Sequence, residues 1–403
     1  YEWHSSEFGD YCLIFPEDQP DLFLPDHVNK LLDFSESKGA LAIPHHVGYK
    51  LGWRGANWKY FRSSASPVVE VFSEHGCTES DRSPYPMIRH SNGGRSTANT
   101  IQVQLARGLR FGFVASSDDH RGYPGAYGEG LVGVWAEELS SKALFDAIKA
   151  RRTYAATGDR IALDVKLNGH PMGAHIPATS DREIDVTVEG QDPIAMVELL
   201  RNNRVIERHF PEDTLEETSQ LPGQAKCRIQ YGWGPWADLD MGRICHWDMT
   251  IKLEKGRFLK ALQCFQSAPF EETLRDRMRI VSPQEIHLQS NTTRENCYGE
   301  DPTKALVLAL DADPEAVLEV ELRQPSKQVI STQLSSLLED NVVTFTGVFT
   351  SESFIIHRLV TPDEFSASIR WQDRVTSGGP DCYYVRVTQA NGHLAWSSPI
   401  WVG

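Results

Sequence analysis

Residues 40–46 read Ala40-Leu41-Ala42-Ile43-Pro44-His45-His46, and the fold is read outward from this stretch. A short apolar run that follows Gly39 has the length of a buried strand, and it ends in two imidazoles. Two further runs share the build. Val68-Val69-Glu70-Val71-Phe72 leads into Ser73-Glu74-His75, and Phe111-Gly112-Phe113-Val114-Ala115 leads into Ser116-Ser117-Asp118-Asp119-His120. Helical spacing lies between them. A stretch starting near Pro25-Asp26 places Val28, Leu31 and Leu32 on one side and stops at Gly39. Residues 96–109 carry Ile101, Leu105 and Leu109 at i, i+4, i+8. Residues 131–135 read as another strand, and Ser140 reads as the N-cap of a helix running to about Arg152. Strands separated by helical patterns predict a parallel sheet or barrel over residues 1–158. In such folds the strand C-termini face one way, so the polar ends would meet at one mouth.

Beyond residues 155–160 the pattern changes. Alternating runs precede Asn168-Gly169, Gly190 and Asn202-Asn203, and similar runs recur at 305–310, 317–322, 342–348, 383–388 and 394–402. Alternation with Asn and Gly turns marks antiparallel hairpins. Residues 159–403 are therefore expected to form an all-β sandwich, with an irregular insertion rich in Trp, Gly and Arg at about 210–300.

The 403 residues carry 55 acidic and 40 basic side chains, a formal charge of −15, which disfavours a general nucleic-acid binder. Most of the acidity lies after residue 160 and serves solubility. No apolar run reaches the ~20 residues of a membrane helix. The seven cysteines are scattered without a CxxC pair, so neither a disulfide framework nor a zinc-finger set is indicated. Compartment and oligomeric state stay open. Neither a GxSxG elbow nor a GxGxxG fingerprint occurs.

The chemistry collects at the three strand ends. His45, His46, Glu74, His75, Asp118 and His120 combine imidazoles and carboxylates without thiolate, a donor set that suits Zn²⁺, Mn²⁺ or Fe²⁺. Arg121, next to that motif, is placed to pair with an anionic group as a planar fork.

These motifs resemble a known family. Ile43-Pro44-His45-His46, the stretch from Val69 to Gly76, and Ser116-Ser117-Asp118-Asp119-His120 with Arg121-Gly122-Tyr123-Pro124-Gly125 are similar to the PHP superfamily of metal-dependent phosphoesterases. More narrowly they resemble its DUF3604 branch, related to carbaryl-hydrolase-like PHP proteins. Residues 150–161, 383–387 and 395–401 match the branch too, and the likeness is weakest at about 210–300. The resemblance implies a distorted (β/α)7 barrel, here partial, bearing two or three metal ions, followed by a β-sandwich. It also implies that Glu2 is a bridging carboxylate and that His45, with His46 close behind, Asp118 and His120 are ligands. The family's N-terminal His-x-His is absent, because the resemblance begins at the later Glu motif, as for an N-terminally truncated member; whether a His-x-His precedes Tyr1 stays open. Where the family carries a His in a Gly-Asp-His-like segment, Gly9-Asp10-Tyr11 carries Tyr11.

The leading expectation is a hydrolase of small anionic phosphate esters that uses metal-activated hydroxide. His75 serves there either as a ligand or as general acid to the leaving group. A carboxyl-ester or carbamate hydrolase with the same site is the alternative within catalysis. A non-catalytic binding protein with a degenerate metal site is the other, with Trp233, Trp236 and Trp247 as candidate recognition rings.

Overall fold

The computed structural model describes residues 1–17, 22–89, 93–120, 125–214, 223–233, 244–265, 274–293, 303–346, 353–375 and 380–403. Strands β1 (Glu2–Trp3), β2 (Asp10–Ile14) and β3 (Leu41–His45) form a three-stranded antiparallel sheet in that order. Helix α1 (Val28–Ser37) links β2 to β3 and lays Val28, Leu31 and Leu32 onto Trp3, Phe8, Tyr11 and Leu13. It stops where the spacing predicts. Gly39 adopts φ 64, its N–H bonds Glu36 O at 3.1 Å, and the Ala40 N–H bonds Ser35 O at 2.9 Å. This is the paired closure of a helix end that a left-handed glycine permits.

Strand β4 (Val68–Ser73) pairs antiparallel with β5 (Gly76–Cys77) and parallel with β6 (Gly112–Ala115). The predicted second helix is shorter than expected, Ile101–Ala106 after a 3₁₀ turn at Thr97–Asn99. Ser140 caps the next helix, Ser141–Lys149, by accepting from the Ala143 N–H at 3.2 Å.

The expected partial (β/α)7 barrel followed by a sandwich is overturned. Strands take up half of the chain and helices 12%, and no (β/α)7 barrel is present among the described residues. Among the described residues, five separate sheets form instead. The reason lies in pairing. β3 runs antiparallel to β2, and beside it the Ala42 N–H bonds Ala65 O at 2.9 Å rather than a partner in β4. On β6, side-chain hydroxyls take the place of a neighbouring strand at Phe113. Its N–H donates to Ser398 Oγ at 2.8 Å, and its C=O accepts from Thr153 Oγ1 at 2.9 Å. Apolar periodicity reports which segments are buried, not the direction in which they pair.

β7 (Leu131–Val134) and β8 (Thr153–Ala156) begin an eight-stranded sheet that is continued by Leu394–Ser397, Asp381–Gln389 and Ile400–Val402. It shares one core with a four-stranded sheet built on Ala162–Leu167, Asp181–Glu189 and Ser366–Arg374. Leu163, Val165, Ile184 and Val186 meet Val197, Leu199, Val385 and Val387 there, a sandwich-like arrangement of two inner faces. Every second residue of Asp181–Glu189 is buried, as the alternation predicts.

Residues 224–356 contribute a second eight-stranded sheet around the antiparallel pair Ile244–Cys264 and Lys304–Gln324, each of 21 residues. Trp247 is buried in its core and donates to Thr292 Oγ1 at 3.0 Å, so it is not a recognition ring. Trp236 and the side chain of Trp233 lie outside the described residues.

A buried ionic group ties together segments far apart in the sequence. Arg386 reaches Glu79 at 3.0 Å and Glu198 at 2.5 Å, and Trp396 Nε1 also donates to Glu79 at 3.0 Å. No disulfide joins any two of the six described cysteines. No helix among the described residues is long and apolar enough to cross a membrane.

Candidate metal centre

Five segments deliver the site. β1 supplies Glu2, the start of β2 supplies Asp10, and the end of β3 supplies His45 and His46. The ends of β4 and β6 run on into His75 and Asp118. The register sets Asp10 directly opposite His45 on the neighbouring strand. Two groups of potential ligand atoms result, each within 4.8 Å of one another: Glu2, Asp10, His45 and His46, and then His46, His75 and Asp118.

His45 Nε2 lies 3.1 Å from Glu2 Oε1 and its Nδ1 lies 3.7 Å from Cys12 Sγ. His75 Nε2 lies 2.9 Å from Asp118 Oδ2, and the Tyr49 hydroxyl sits 2.5 Å from His75 Nδ1. His46 joins the two groups, with Nε2 3.4 Å from Asp10 Oδ2 and 3.7 Å from Asp118 Oδ2. Neither ring nitrogen of His46 makes a hydrogen bond among the described residues, although the side chain is buried. Left-handed backbone at His46 (φ 33) and Asp118 (φ 56) turns the chain at both strand ends, and His and Asp tolerate it better than most residues. Asp118 thereby faces His75, while Asp119 is half-buried beside it.

The electrostatics follow from burial and crowding. Burial and the neighbouring His45 and His75 push His46 far below the usual imidazole range. Burial opposes charge on His45 too, but Cys12 and Glu2 outweigh it and raise that imidazole well above its ordinary value. Burial raises the Glu70 carboxyl. Asp118 is held low, because His75 and His45 overcome its burial. The result is one imidazole kept neutral among carboxylates, the state in which a nitrogen lone pair can bind a cation.

The structure brings together Glu2, His45, His46, His75 and Asp118 and leaves His120 outside. His120 is largely exposed, its Nδ1 3.8 Å from Glu74 Oε1. Arg121 lies outside the described residues. Three contributors escape the sequence reading. Asp10 is wholly buried and contacts His4 Nδ1 at 2.7 Å, the Ser5 N–H at 2.9 Å and Arg54 Nε at 2.9 Å. It, not Tyr11, is the metal-capable member of Gly9-Asp10-Tyr11. Successive strand residues face opposite ways, and Tyr11 packs with Trp3 in the core. Glu70 accepts from the His46 N–H at 2.8 Å and from Ser116 Oγ at 2.7 Å, locking β3 and β6 around β4. Tyr49 holds His75, and Asn99 Nδ2 in turn donates to Tyr49 O at 2.8 Å. A carboxylate inside the apolar run 68–72 was the legible signal for Glu70; nothing local marked Tyr49.

A model of the family described as Protein of unknown function (DUF3604) matches residues 125–169. Uncharacterized proteins of Chlamydia trachomatis and Chlamydia muridarum are each 30% identical over 218 residues, covering 50% of this chain and 33% of their own length. One of Chlamydia pneumoniae is 28% identical over 200 residues, covering 45% of this chain and 32% of its own. The chain thus spans about a third of the length of the curated relatives it matches. Among solved structures, BcpA, the major pilin subunit of Bacillus cereus, aligns over 62% of this chain and 66% of its own at 9% identity. Its TM-score of 0.10 carries no fold argument.

Proposed function

We propose that the chain carries the metal-binding part of a PHP-type hydrolase of phosphate esters. One observation carries this reading: Glu2, Asp10, His45, His46, His75 and Asp118 converge around a buried His46 whose ring nitrogens make no hydrogen bond among the described residues. Such an imidazole is costly unless something takes its lone pair. The donors are nitrogen and carboxylate oxygen, which fit Zn²⁺, Mn²⁺ or Fe²⁺. Glu2, Asp10, His45 and His46 would hold one ion, and His75 and Asp118 mark a second position that shares His46. A divalent ion there supplies Lewis-acid activation of water and charge stabilisation at a phosphoryl oxygen.

The chain's own groups orient the rest. Glu70 fixes the backbone of His46, and Tyr49 fixes the ring of His75, in the way outer partners hold metal-binding imidazoles. His75 either ligates or holds the proton for the leaving group. The test is metal content, together with a panel of aryl phosphates against aryl esters and carbamates. Bound divalent metal with turnover of aryl phosphates supports the reading. Less than one ion per chain with no turnover refutes it. Turnover confined to esters or carbamates reassigns the chemistry and keeps the site.

A further inference from the structure

Arg54 stands beside the cluster with most of its guanidinium uncommitted. It occupies left-handed backbone, φ 66, in the turn between Gly52 and Gly55. The turn is pressed onto its surroundings: a Cβ at Gly55 would lie 2.0 Å from Tyr49 O, and the Arg54 N–H reaches Ser6 O at 3.3 Å. The backbone therefore presents this side chain at one place. Its Nε donates to Asp10 Oδ2 at 2.9 Å. Nη1 and Nη2 make no hydrogen bond among the described residues. Arginine usually grips a carboxylate with two parallel N–H bonds, and here it uses one. Asp10 is wholly buried while Arg54 keeps 22% of its side-chain surface, and neither of its unpartnered terminal nitrogens is among the buried ones. The cation acts electrostatically on Glu2, His46 and Tyr49, members or neighbours of both ligand groups.

The geometry points to Arg54 as the receptor for the anionic group of the substrate, its two terminal nitrogens taking two oxygens of a phosphoryl group beside the ligand cluster. This assignment rests on the metal-hydrolase reading and deepens it, because such a fork selects phosphate monoesters over neutral esters and carbamates. A role confined to neutralising buried Asp10 is the competing explanation. That role needs a cation and not a fork.

Inorganic phosphate is the probe, titrated by calorimetry into the full chain, zinc-loaded and, in parallel, chelator-treated. Arg54→Lys keeps a cation for Asp10 and loses the fork. Arg54→Asn suits the left-handed backbone and loses both. Phosphate Kd rises about 10–100-fold in each variant, the loss expected for charge-assisted hydrogen bonds. Zinc affinity of Arg54→Lys stays near that of the wild type, and turnover of phenyl phosphate suffers through KM. Equal phosphate binding by wild type and both variants overturns the assignment. So does a wild type that binds no phosphate in either state, or an Arg54→Lys protein that loses zinc and phosphate together. A wild type that takes up no zinc yet binds phosphate through Arg54 refutes the metal reading and upholds the receptor.

Discussion

Asp118→Asn removes one negative charge from the cluster and little else. Asn accepts the left-handed backbone at this position as readily as Asp, so the turn after β6 should persist. Oδ2 of Asp118 lies 2.9 Å from His75 Nε2 and 3.7 Å from His46 Nε2, between the two rings. Metal affinity should fall at least ~10-fold, since losing even an outer partner costs ~10–100-fold. In excess metal, a tenfold loss removes ~1.4 kcal/mol of metal-induced stabilisation. The metal-free protein should lose stability as well. His75 and His45 hold the Asp118 carboxyl below its ordinary value despite burial, so its charge stabilises the fold at neutral pH even though it repels Glu2 and Glu70. The variant without metal should be less stable than the wild type. Asp119→Asn is the control and should change little, because that half-buried side chain belongs to neither ligand group. Calorimetric titration with Zn²⁺ or Mn²⁺, and thermal melts with and without metal, measure both effects. Equal affinity in wild type and Asp118→Asn would refute the ligand role. A metal-free variant as stable as the wild type would refute the electrostatic argument.

Away from the cluster, buried Asp159 accepts from Arg228, Gln389 and Tyr127 at 2.8 Å and from Asn391 at 2.7 Å. Burial alone would raise its carboxyl, but Arg228 and these donors hold it at about 2, below the ordinary 3.8. A depressed carboxyl stabilises the fold above the unfolded value and loses that contribution as pH falls through the folded one. Asp159→Asn should therefore cost roughly 2 kcal/mol at neutral pH, with the gap to wild type closing between about pH 4 and pH 2 in urea titrations. A gap that does not change with pH would exclude the linkage. Arg386→Met strands Glu79 and Glu198, both buried, and should cost about 3–5 kcal/mol in chemical denaturation. A cost under ~1 kcal/mol, the range of an exposed pair, would mean that water reaches the carboxylates. Gly39→Ala meets no atom within 4 Å, so only its φ of 64 opposes the change. A loss of about 1 kcal/mol is expected, and a neutral result would mean that the helix end shifts to another cap.

Local signals were enough for the pieces. Buried runs placed β3, β4 and β6 within a residue or so, Gly39 and Ser140 marked helix ends, and alternation over 183–189 placed most of the strand Asp181–Glu189. These features depend on neighbours a few residues away, which a sequence carries directly. The candidate cluster was partly legible for the same reason, since His45, His46, His75 and Asp118 sit at or just past the ends of recognisable strands. Tertiary structure decided the rest. Whether β3 runs with or against β2 depends on where a helix of ten residues folds back, so the same alternation that suggested a barrel made separate sheets. Asp10 became a candidate ligand because antiparallel register sets it against His45, 35 positions along the chain, and turns Tyr11 into the core. His120 fell outside because the left-handed turn at Asp118 directs only that carboxylate inward. Arg54 reached the cluster through a backbone bond to Ser6 and a side-chain bond to Asp10, contacts that no local pattern encodes.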